Sequence, residues 1–178
     1  PAEGLIALCR WFIRVRWVAV VALFAIVAGT HWVIGIRLPL AELFGFGAGL
    51  AACNLLFHWY LESQDARAKS EVSYWAAERF ANVQVLADLA CITVLLHFSG
   101  GAENQLCIFY VFHVIIASVV LPRWQSYAQA TVAFCLFTAL VLLEYWGTLP
   151  HYHLEGFLSE CQRQSGRYLF GHLGALAV

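Results

Sequence analysis

Ser99-Gly100-Gly101-Ala102-Glu103-Asn104-Gln105-Leu106 is a short polar stretch set between two long apolar runs. Paired glycines permit backbone angles closed to residues with a β-carbon, and Glu103, Asn104 and Gln105 then gather hydrogen-bonding groups into three successive positions. Such a stretch reads as a tight polar hairpin at a membrane surface, joining one transmembrane helix to the next.

The composition supports this reading over the whole chain. Of 178 residues, 62% are hydrophobic and only 12% charged, against about 25% charged in a soluble domain. A soluble domain of this size has no interior large enough for that excess, so most of it must face lipid. The net charge of −1 offers no basic surface for nucleic acid. Six cysteines (Cys9, Cys53, Cys91, Cys107, Cys135 and Cys161) are scattered singly, without C-x-x-C or zinc-like spacing, and read as small hydrophobes.

Working outward from the turn, the expected fold is an all-α polytopic membrane bundle with five complete transmembrane helices, near 11–35, 40–61, 80–100, 105–122 and 124–146. A sixth begins at about Tyr168. Residues 1–178 then form a single transmembrane domain. Arg10, Trp11, Arg14, Arg16 and Trp17 make a cationic and aromatic collar before the first span. Gly45 and Gly49 place a G-x-x-x-G pair on the second, where a neighbouring helix can approach closely. Residues 62–79 carry much of the charge and read as a solvated, partly helical connector, and 35–39, 100–106 and 148–167 read as outer loops. Seven of the lysines and arginines lie on the connector side and three (Arg37, Arg163 and Arg167) on the other. The N-terminus is therefore expected in the cytoplasm of a bacterium, the chain crossing its inner membrane several times. Because the sequence starts at Pro1, lacks methionine and stops at Val178 inside an apolar run, a longer protein is expected.

Several side chains stand out against this apolar background. Asp88 lies within the third span, where an ionised carboxylate facing lipid costs a few kcal/mol. It must turn inward, and Arg16, Asn54 and Arg79 are available partners at similar depth, which points to an intramembrane polar clamp. His113 sits in the middle of the fourth span and His97 near the outer end of the third. Interfacial histidines, with His31, His151 and His153, are mostly expected to bond water and headgroups, though His151 and His153 would bind metal weakly. No dedicated metal motif is present. Glu144 falls at the outer end of the fifth span, where solvation is easy, and receives no role. No nucleophile–base pair or phosphate-cradling loop appears, so these residues are expected to catalyse nothing.

A charged connector after a second helix, then a third helix ending in G-G-x-x-N and a fourth descending from it, resembles the membrane sensor domain of redox-responsive histidine kinases of the RegB/PrrB type. Gly100, Gly101 and Asn104 match that pattern. Gln105 and Leu106 stand where the family has Pro and Phe, and Arg16-Trp17 and Asn54-Leu55 also look alike. The resemblance implies six helices before a cytoplasmic kinase and a turn that senses ubiquinone. A kinase activity would then require a kinase core after Val178. On that reading Gly100, Gly101, Glu103, Asn104, His97 and His113 are candidate quinone contacts, while Asn104 is equally suited to cap the fourth helix. Two other readings stay open: a non-catalytic subunit of an energy-transducing or photosynthetic membrane complex, and a small b-haem electron carrier. The expected surroundings are lipid and either a second copy or a larger membrane assembly.

Overall fold

The computed structural model describes residues 2–35, 39–67, 74–101 and 105–150. Glu103, Asn104, His151, His153, Cys161, most of the 148–167 loop and the sixth span lie outside the described residues. Five α-helices follow in order: α1, Ala2–Gly29; α2, Leu40–Arg67; α3, Tyr74–Phe98; α4, Ile108–Val120; and α5, Arg123–Tyr145. α1 closes with a π-helical turn, Thr30–Ile34, and Gly35 at φ 80° ends it in the left-handed conformation that glycine adopts without strain. A 3₁₀ turn, Gln105–Cys107, leads into α4.

α1, α2, α3 and α5 are each long and apolar enough to cross a membrane. α4 has 13 residues, about 20 Å at 1.5 Å per residue, and is shorter than the span expected from the sequence. The reversal at Gly100–Gly101 and the 3₁₀ turn consume its start. At the other end Pro122, which has no N–H to continue a helix, follows an extended Leu121. The 62–79 connector is helical at both ends, in keeping with its partly helical reading: α2 runs on to Arg67 and α3 starts at Tyr74, six residues before Phe80.

α3 packs against all four of the other helices. Its buried side chains Ala81, Val85, Leu89 and Leu96 join Cys9, Ile13, Tyr110, Phe137 and Val141 in one apolar core. Outward-facing positions are bare aliphatic groups such as Val18, Val21, Leu56, Ile115 and Val119, as a lipid-facing surface requires. The hairpin of α1 and α2 closes at Gly47, where an added β-carbon would come within 2.8 Å of the Phe24 ring. Gly45 and Gly49, expected to allow close approach, have open space at that position. Two residues turn an α-helix by about 200°, so Gly47 lies on nearly the opposite face from either.

α3 and α5 run parallel in a fixed register. Glu78 meets Gln125, Asn82 meets Gln129 and His97 meets Glu144, each pair 47 residues apart along the chain.

Candidate functional site: two buried ionic centres on the third helix

The first centre is at mid-depth. Arg16 on α1 donates from Nε to Asp88 Oδ1 and from Nη2 to Asp88 Oδ2, both at 2.8 Å, the bidentate arrangement a guanidinium is shaped for. Its Nη1 donates to Asn54 Oδ1 at 3.1 Å, and Asn54 returns its amide to the Ile13 carbonyl at 3.0 Å. The guanidinium also lies 5.0 Å from the centre of the Phe57 ring, within cation–π range. Arg16, Asn54 and Asp88, singled out in the sequence, are thus brought together, and they tie α1, α2 and α3. Arg79 is not part of this cluster. His113 on α4 stands at its edge, with Nε2 4.0 Å from Asp88 Oδ2.

The second centre is at the Gly100–Gly101 turn. His97 Nδ1 lies 3.0 Å from Glu144 Oε1, and the Glu144 side chain is only 2% exposed. Gly100 has φ 109° and Gly101 φ 58°, and a β-carbon on Gly101 would overlap the Glu144 carboxylate. Glycine is therefore demanded there twice, by the backbone angle and by the carboxylate resting against it. Both helices bring their C-terminal ends to this point. The carboxylate expected to be solvated is buried, because α5 turns it toward α3 instead of outward. The sequence signal that would have found it is the recurring spacing of polar residues between two apolar runs.

The same spacing marks a ladder at the connector end. Gln125 donates to the Glu78 carboxylate and accepts from Asn82 Nδ2 at 2.8 Å, and Gln129 donates to the Asn82 side chain and backbone carbonyl. Glu78, assigned to the solvated connector by its charge, is 3% exposed. Within each helix the ladder residues are four apart, Glu78 and Asn82 on α3 and Gln125 and Gln129 on α5, so each pair falls on one face.

The candidate quinone contacts divide between the two centres. His97, Gly100 and Gly101 are at the turn, His113 is at the clamp, and Glu103 and Asn104 lie outside the described residues. Phe109, beside the turn, is half-exposed on α4 and rests against Phe112 with ring centres 6.1 Å apart. Among the described residues no three or more His, Cys, Asp or Glu side chains gather as a metal site would need. Their cysteines are all free thiols.

These features define a polytopic helical membrane domain with a buried ionic clamp and a carboxylate–imidazole pair at its glycine turn. Residues 11–162 match the PilS-like transmembrane domain, and the chain belongs to that family. It is a membrane sensor domain of the class carried by sensor histidine kinases, and it is similar to those of the RegB/PrrB type. A curated relative, the sensor histidine kinase RegB of Cereibacter sphaeroides, is 26% identical over 129 residues, which is 72% of this chain and 26% of the relative. The chain thus spans about a quarter of the length of that protein. No solved structure matches it.

Proposed function

We propose that this domain is the input half of a redox-responsive sensor kinase and that its turn between α3 and α4 reads the membrane quinone pool. The observation that carries the reading is the His97–Glu144 pair packed against Gly101. A quinone carbonyl accepts hydrogen bonds, whereas the hydroxyl of a quinol also donates them. With its Nδ1 hydrogen given to the carboxylate, the imidazole offers through Nε2 an acceptor for a quinol hydroxyl when neutral and a donor for a quinone carbonyl when protonated, the chemistry needed to tell the two forms apart. By the resemblance, Asn104 would add an amide donor, and Gln105 would stand where the related kinases have proline. A kinase core elsewhere in the full protein would be the output, and the N-terminus and the 62–79 connector would face it from the cytoplasm.

The test is binding of a short-chain ubiquinone analogue to the purified domain in lipid nanodiscs. Glu144→Gln, His97→Gln and Asn104→Ala should each weaken binding about tenfold, the worth of one good hydrogen bond of ~1.4 kcal/mol. Gly101→Ala, which pushes on the carboxylate directly, should abolish it. Parent-like affinity in Glu144→Gln and His97→Gln together would reject the quinone reading at this turn.

A further inference from the structure

We propose that His113 is a proton-binding site whose occupancy joins α4 to the Arg16–Asp88–Asn54 clamp. The inference is independent of any quinone at the turn, from which His113 is separated along α4.

The location of protons on the ring follows from its partners. His113 Nδ1 lies 2.8 Å from the backbone carbonyl of Phe109, one turn earlier on α4. A carbonyl oxygen only accepts, so Nδ1 carries a hydrogen. In the neutral ring Nε2 is then a bare acceptor, and it faces another acceptor, Asp88 Oδ2, across 4.0 Å. Two lone pairs so placed repel weakly. Adding one proton to Nε2 turns the same pair into an N–H⁺ group facing a carboxylate, and the gap can close by about 1 Å to an ordinary charge-assisted hydrogen bond.

Asp88 is already held by Arg16 on both oxygens, so the clamp is neutral before His113 is charged. From α2 the facing groups are Asn54 and the Cys53 thiol, and from α3 the Cys91 thiol, in electrostatic range of Asp88, Cys53 and Arg16. From α1, Cys9 is in range of Arg16. On α4 itself Tyr110 is bonded to Thr93. On α5, among the described residues, Glu144 is engaged by His97 and no ion pair reaches this cluster. Arg123 starts α5 and is exposed, as are Tyr127 and Cys135. Arg16 and Asp88 fix α1 and α3 to each other, so protonation moves α4 against a held pair.

The experiment follows the ring nitrogens of ¹⁵N-histidine in the full chain in lipid nanodiscs, with the His113 signals assigned by their disappearance in His113→Gln. At alkaline pH the neutral ring should carry its hydrogen on Nδ1, and the imidazolium formed on acidification should have its Nε2 hydrogen bonded to Asp88. His97→Gln should leave these His113 signals unchanged. A neutral ring with its hydrogen on Nε2, or an imidazolium whose Nε2 hydrogen makes no hydrogen bond to Asp88, would each overturn the proposal.

Discussion

Arg16, Asn54 and Asp88 show how a single intramembrane charge constrains its neighbours. Removing one member of a buried ion pair leaves the other without compensation, which costs more than the pair contributes when intact. Asp88→Ala should therefore destabilise the bundle by about 3–5 kcal/mol, read as a lowered thermal midpoint in detergent or nanodiscs. Replacing both partners by apolar residues of similar size, as in Arg16→Met with Asp88→Leu, should recover most of that loss. A double variant as unstable as the single one would mean that the guanidinium acts chiefly through its contacts with Asn54 and Phe57. The clamp was legible in the sequence because a charge at mid-span has few places to go. Glu144 and Glu78 were not, because a carboxylate near the end of an apolar run has water within reach, and only the rotation of the helix about its axis decides whether it takes it. Both turn inward here, toward His97 and Gln125.

At the scale of helices, hydropathy placed the spans and misjudged how some of them begin and pack. The charged connector reads as solvated and partly helical, and α2 and α3 extend into it because a solvated helix carries a charge such as Glu62 as readily as a coil does. The G-x-x-x-G pair names a face without saying whether anything covers it. Within this chain the close approach is at Gly47, against Phe24 and Leu23. Gly47→Leu should therefore separate α1 from α2, a loss seen as reduced thermal stability and increased exchange of backbone amides in both helices. Gly45→Ala and Gly49→Ala, which meet nothing within 4 Å, should each stabilise the isolated chain by about 0.5–1 kcal/mol through helix propensity. If either alanine variant proves destabilising, that face is in use by a second molecule.

At the scale of the whole molecule the open structural quantity is which end faces the cytoplasm, and the buried clamp changes the count on which it rests. Arg16 is withdrawn into the ion pair and adds no charge to the surface. Arg10, Arg14, Arg67, Lys69, Arg79 and Arg123 still outnumber Arg37, Arg163 and Arg167 in the sequence-based count, so the positive-inside rule still predicts an inward N-terminus. Exposed Trp11, Trp59, Trp75, Trp124 and Tyr127 border the first group, and Trp32, Tyr145 and Trp146 border the second, as two aromatic belts would. In intact bacterial cells the native Cys161 should then react with a membrane-impermeant maleimide added outside. A Cys161→Ser chain carrying Ser63→Cys should react only after the membrane is permeabilised, since Ser63 lies at the connector end of α2. Labelling of Ser63→Cys in intact cells, with Cys161 protected, would invert the topology and put the His97–Glu144 pair on the cytoplasmic face.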